Sequence, residues 1–247
     1  MILIKLSSPR YILCITISLL QISCNVDKEF DDNVLTIATY DDIEDWDPGS
    51  AFSLEVLPMS NIYEPLLWFD ASANPPTMIP ALATSYFVSE NGLKWTFNLR
   101  EDVSFHDGMK FNSSVVKYVI DRNKTLKKGP SYIWDYIERV EEDQEYQVSF
   151  YLSSPVALDK IVSSQYGAWI YSPNISKVSK DSIMNGYASG TGPYKLVKWK
   201  KNSHIVLHKY EKYWGGWKKK GHFDSVVIRV VTEASTRLQM LKKGLAR

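Results

Sequence analysis

Apolar and polar residues alternate along VLTIATYDD (residues 34–42), the two-residue period of a half-buried strand. An acidic loop holding Pro and Gly, IEDWDPGSA, follows and ends that strand. From Ser53 to Tyr63 the period changes: Leu54, Leu57, Ile62 and Tyr63 recur at roughly helical spacing, with Pro58 bending or restarting the helix. PLLWFD reads as the next strand, closed by the loop ASANPPTMIP. In WTFNLR the parity is clean, with Trp95, Phe97 and Leu99 on one face and Thr96, Asn98 and Arg100 on the other, and Val103 and Phe105 continue the apolar set. His106, Asp107 and Gly108 break the alternation, and the Asp-Gly pair marks a tight turn, so this triplet is placed at a hairpin tip. Asn112 or Ser113 then caps a helix whose apolar stripe is Val115, Val116, Val119 and Ile120.

The second half repeats these alternations. Tyr146, Val148, Phe150 and Leu152 predict a second β-meander, and ALDKIVSSQYGAWIYSP a short helix leading into an aromatic loop. GTGPYKLVKWKKNSHIVLHKY reads as a hairpin turning at Lys201, Asn202 and Ser203, and FDSVVIRVV as a branched strand. The last segment, EASTRLQMLKKGLAR, puts Leu238, Met240 and Leu241 on a helical stripe behind a Ser235/Thr236 cap.

Residues 1–23 change the picture from a globular chain to an exported one. Lys5 and Arg10 precede the short apolar run YILCITISLL, the pattern of a signal peptide, and that run is too short to span a bilayer as a mature helix. LQISC resembles a bacterial lipobox, with Gln21 where leucine is usual, so Cys24 is the expected lipidation site and residues 24–33 a polar tether to the membrane. Cys14 and Cys24 are the only cysteines, which leaves the exported part no disulfide framework. With 29 basic and 28 acidic residues, no global field favours nucleic acid or an acidic polymer. Eight Trp and 15 Tyr are enough to fill a core and also to line a site for organic ligands.

The candidate chemistry is sparse. His106 beside Asp107 invites a hydrolase reading, but neighbours on a turn point apart and no G-x-S-x-G elbow supplies a nucleophile. His204 and His208 have the spacing of a zinc pair on a helix; on a strand they stand about 13 Å apart, and no metal site is expected. Gly190 and Gly192 lack the lysine and helix of a phosphate cradle and read as a backbone crossing between domains. DDIEDWDP lacks calcium-loop spacing, and KYWGGWKKKGHF has only a short basic run; both read as solvated loops. No cofactor is implied.

The order of segments is more specific than any residue. MIPALATSYFVSENGLKWTFNLREDVSFHDGMKF, carrying Pro80, Leu82, Ala83 and the run from Val103 to Gly108, resembles the hallmark segment of the peptide/nickel class of extracytoplasmic solute-binding proteins of ABC importers. GTGPYKLVKW with YEKYWGG, and FDSVVIRVV with RLQMLKKG, match a second and a third hallmark. The resemblance implies a mixed α/β fold: a lobe of the type II periplasmic-binding-protein kind, an additional α+β subdomain over about residues 65–185, and a return to lobe one over 186–247. The second lobe is absent from these 247 residues, so the expectation is the N-terminal half of a two-lobe binder.

Functionally the resemblance implies a lipid-anchored, non-enzymatic component that encloses a peptide or other small solute. It would deliver this to the permease and ATPase of an importer, on the periplasmic or cell-surface side of a bacterial membrane. Because ligand contacts cluster where strands end and lobes meet, Tyr40, Asp41, Trp46, Asn61, Tyr63 and Thr191 are the expected contacts. The alternatives are an exported hydrolase using His106 and Asp107, and a nonfunctional truncated remnant.

Overall fold

A computed structural model describes residues 33–218 and 221–246. In chain order its elements are β1 (Val34–Thr39), α1 (Val56–Ile62), β2 (Leu67–Asp70), β3 (Thr77–Pro80), β4 (Ala83–Val88), β5 (Lys94–Leu99) and α2 (Ser113–Leu126). They continue as β6 (Ile137–Gln144), β7 (Gln147–Leu152), α3 (Leu158–Ile161), α4 (Lys180–Met184), β8 (Tyr194–Lys200), β9 (His204–Lys209), β10 (Ser225–Val230) and α5 (Ala234–Lys242), with single 3-10 turns at Gly129–Trp134 and Pro173–Lys177.

Two four-stranded sheets carry the chain. The first has the order β1-β10-β9-β8, with β1 parallel to β10 and the other pairs antiparallel. It unites the first strand of the sequence with the last three. The second, β4-β5-β7-β6, is antiparallel throughout and is built only from the middle of the chain. A β2-β3 ribbon precedes it.

Parity decides what each sheet buries. Trp95, Phe97 and Leu99 of β5 point inward while Lys94, Thr96 and Asn98 stay half-exposed. Phe97 packs edge-on against Phe150 of β7, 5.4 Å between ring centres, and Tyr86 and Trp95 stack at 5.4 Å. Each such side chain contributes about 1.5–3 kcal/mol through removal of apolar surface from water. Helix α2 closes over this layer with Val115, Val116, Val119 and Ile120, all buried. Its first turn is capped by Asn112, whose side chain accepts from the Val115 amide at 3.2 Å.

Several details depart from the sequence reading. Helix α1 starts at Val56, so Pro58 sits in its first turn, where a missing N–H costs nothing. At α5 the N-cap position is Glu233 without a side-chain bond, and Ser235 and Thr236 lie inside the helix. Of its apolar stripe only Met240 is buried, while Leu238 and Leu241 are about half exposed. The acidic loop after β1 is only partly solvated: Asp41 and Glu44 are exposed, but tertiary donors claim two of its carboxylates. Asp42 accepts from Trp199 Nε1 and the Asn202 amide, and Asp47 takes both terminal nitrogens of Arg122 at 2.9 and 2.6 Å. Lys201 to Ser203 form the β8-β9 turn, with Asn202 at φ 59°.

Candidate functional site

The hairpin predicted around His106 is present, since the Phe105 amide donates to Met109 O, and Gly108 takes φ 87° at the turn. Its tip is no free end. It docks on the segment 189–192, more than eighty residues away, where the chain crosses back to the first sheet. The His106 amide donates to Gly190 O, His106 Nε2 lies 2.9 Å from Gly192 O, and the Asp107 amide donates to Ser189 Oγ. The Asp107 carboxylate accepts from Ser172 Oγ and Asn174 Nδ2. Burial pushes the Asp107 carboxyl up, yet the bonds from Ser172, Met109, Asn174 and Ser189 outweigh it and hold it below its ordinary value. Burial lowers the half-exposed His106 to about 4, so the ring is neutral and its Nε2–H serves as a donor to the carbonyl.

This crossing can run so close to α1 only because it is glycine-flanked. A Cβ on Gly190 would stand 2.0 Å from Ile62 O, and one on Gly192 2.6 Å from Asn61 O. Thr191, between them, is fully buried and donates to Glu64 Oε2 at 2.8 Å. Glu64 is the hub of the region. Its Oε2 also accepts from Trp214 Nε1 at 2.7 Å, and its Oε1 from Tyr213 OH at 2.9 Å. Arg100 lies over the Trp214 ring at 4.1 Å. Burial raises the Glu64 carboxyl above its ordinary value, opposed by the three hydrogen bonds and by the charge of Arg100. The YWGG segment, expected to be solvated, is thus pinned through its aromatics. Glu64 was missed in the sequence; the available signal was a lone carboxylate inside the apolar run IYEPLLW.

A second locus forms in the loop leaving the C-terminal end of β1. Ring centres of Phe52 and Tyr166 lie 4.9 Å apart, yet these side chains are 53% and 38% exposed, and Tyr132 nearby in sequence to Pro130 is 62% exposed. Three loops are locked under them. A Cβ on Gly129 would meet Ser50 O at 2.1 Å, and one on Gly167 would meet Pro130 at 2.7 Å. Asn123 Nδ2 and Trp134 Nε1 both donate to Gly167 O at 3.1 Å, and Tyr171 bridges Asn123 and Arg122. Ser53, next to Phe52, holds φ 126°, a conformation that L side chains rarely adopt. The result is an aromatic shelf on a rigid polar base.

The six expected contacts divide between surface and interior. Tyr40 and Asp41 face solvent and Asn61 is half-exposed, its amide bonded back to Leu57 O. Trp46 and Tyr63 are core residues, with Trp46 edge-on to Trp199 at 5.8 Å, and Thr191 is occupied by Glu64. Cys24, residues 1–23 and residues 24–32 lie outside the described residues. The hydrolase alternative fails on geometry: His106 faces a carbonyl and the Tyr210 ring, and Asp107 is spent on Ser172 and Asn174. His204 and His208 lie four residues apart on strand β9, and among the described residues no three His, Cys, Asp or Glu side chains gather into a metal site.

Comparison with known proteins fits this architecture. Residues 77–246 match the model of the bacterial extracellular solute-binding proteins, family 5. The glutathione-binding protein GsiB of Pectobacterium atrosepticum is 28% identical over 85% of this chain and 40% of its own length. The GsiB of Salmonella typhi is 34% identical over 67% and 32%. Among solved structures, DppA from Helicobacter pylori in complex with peptide STSA superposes with a TM-score of 0.73 at 27% identity, covering 86% of this chain and 45% of that one. NikA from Brucella suis in complex with Fe(III)-EDTA gives 0.76 at 25%, covering 87% and 43%. The chain therefore spans less than half the length of these relatives, and they are substrate-binding proteins of ABC transporters with the type II periplasmic-binding fold, not enzymes.

Proposed function

This chain belongs to the bacterial extracellular solute-binding proteins of family 5, and on that premise we propose that it is the lipid-anchored solute-binding component of an ABC importer for peptides. Cys24 carries the anchor, the domain works on the outer side of the membrane, and a permease with its ATPase receives the solute. The stretch of about residues 65–185 acts as an additional subdomain, and the described residues supply one side of a cleft whose closure needs a second body.

The observation that carries this reading is the aromatic shelf. Two large rings in contact, held out to solvent on loops fixed by buried polar bonds, are preorganised to receive an organic solute without an ordering penalty. Phe52 lies in the loop that follows β1, a strand parallel to β10, and α/β sheets place ligands on loops that follow such strands. Relatives bind small peptides by their names, glutathione and STSA, which makes short peptides the solute class of this reading. Tyr40, Asp41 and Asn61 are the polar rim in this reading, while Trp46, Tyr63 and Thr191 act from beneath as supports.

The full chain is to be tested by thermal denaturation with di- to pentapeptides. Binding raises the melting temperature, with about 2.7 kcal/mol gained at a hundred times Kd. Phe52→Ala and Tyr166→Ala are expected to abolish that rise while leaving the ligand-free melt within a degree or two. No rise with any peptide would favour the nonfunctional remnant over this reading.

A further inference from the structure

Charge in this nearly neutral chain is segregated by sheet. Strands β1, β8, β9 and β10 contain five Lys or Arg residues and no carboxylate, whereas β6 alone holds four carboxylates against Arg139. Register shows where the cations point. Lys195, Lys198 and Lys200 pair with His208, Val206 and His204, three alternate residues of β9 and hence one face. The bulge at Val197 resets the alternation and brings all three lysines to that side. Arg229, paired with His204, shares it. Leu207 and Ile205 point the other way and are buried.

Local neutralisation separates this face from the rest of the sheet. Lys209, on the opposite parity, is bound to Asp224 and Glu211 at 2.9 and 3.3 Å. Among the described residues Lys195, Lys198, Lys200 and Arg229 have no carboxylate within ion-pair distance, and all four are exposed. Strand spacing and rise put them within an area of roughly 15 by 15 Å. Between them lie Val206 and Val227, half-buried, and Val197, 51% exposed.

We propose that this exposed face of the first sheet docks on an anionic phospholipid surface, holding the domain against its membrane. A planar layer of headgroup phosphates matches four unpaired cations spread over an open sheet, and the interleaved valines suit the interface. A specific acidic protein would call for charges converging on a buried anchor, which this face lacks. The attachment rests on the function proposed above only for its reach: ten residues from Cys24 to Val34 span at most about 35 Å, and Val34 opens the edge strand of this same sheet.

The test is cosedimentation of the full chain, made without lipid modification, with phosphatidylcholine vesicles and with vesicles containing phosphatidylglycerol. Each cation near an anionic surface strengthens binding about five-fold. The Lys195→Gln/Lys198→Gln/Lys200→Gln variant should therefore lose roughly a hundredfold of its preference for phosphatidylglycerol, and wild-type preference should vanish at 1 M salt. A control of equal charge, Lys110→Gln/Lys127→Gln/Lys128→Gln, should keep it. Equal loss in both variants would reduce the effect to net charge, and no preference in the wild type would leave a protein as the partner; either overturns the proposal. Since the protein is unlipidated and no peptide is added, neither result bears on the anchor or on solute binding.

Discussion

Replacing Glu64 separates a hydrogen-bonding hub from a mere buried charge. In Glu64→Ala the Thr191 hydroxyl, fully buried, loses its acceptor at a cost of about 1–3 kcal/mol, and the half-exposed Tyr213 and Trp214 donors lose about 1 kcal/mol each. The sum is about 3–5 kcal/mol. Glu64→Gln keeps one oxygen for Thr191 and Trp214 and turns its amide toward Tyr213, whose hydroxyl can accept. It gives up charge assistance but also the desolvation of a carboxylate, so the expected loss is below about 1.5 kcal/mol. The pH dependence has a definite sign. Because the folded carboxyl titrates above its unfolded value, its contribution is fully present below about pH 4.5 and declines as pH rises through the folded value. Urea denaturation followed by tryptophan fluorescence between pH 4 and 8 reads both effects, with the slope in urea unchanged if only stability moves. Equal losses for Ala and Gln, or a Gln variant that gains on wild type as pH falls, would refute the hub.

Three further outcomes follow from the same geometry. His106, held at about 4, gives stability that is complete above about pH 6.5 and is lost as pH falls through 4, with a slope of up to about 1.4 kcal/mol per pH unit; in His106→Gln, urea melts should show that slope gone. Gly190→Ala puts a methyl 2.0 Å from Ile62 O, and soluble yield should collapse or stability drop by more than about 3 kcal/mol, whereas the same change at Gly108, with open space around it, costs only backbone strain. Asn112→Ala removes the α2 cap and should cost about 1 kcal/mol by thermal melting.

Local order was readable in the sequence because local rules produce it. The parity of Trp95, Phe97 and Leu99, the Asn112 cap and the Asp-Gly turn each depend on residues within a few positions. The docking of these pieces was not readable, since it depends on partners remote in sequence. Nothing near His106 announces Gly190 and Gly192, and nothing in DDIEDWDP announces Trp199 or Arg122. At α5 the hydroxyls of Ser235 and Thr236 suggested a cap by type, but the helix begins one residue earlier at Ala234. The aromatic shelf escaped for a related reason: Phe52 and Tyr166 are ordinary aromatics in sequence, and only the folding of two loops makes them a pair.

The motifs that mark this family in the sequence are those that grip one another. VxFHDG holds GTGPY through His106, and YWGG and the crossing meet on Glu64 through Trp214, Tyr213 and Thr191. All four act on one event, the return of the chain from the middle sheet to the first. That return must be rebuilt whatever the solute, because without it β8 to β10 cannot pair with β1. The donors of Thr191, Tyr213 and Trp214 and the Nε2 of His106 are committed to these contacts. In the reading proposed above, specificity falls to positions the motifs do not use, the exposed rings of Phe52, Tyr132 and Tyr166 and the rim at Tyr40 and Asp41. A signature that identifies the fold so well is silent on the solute for this physical reason.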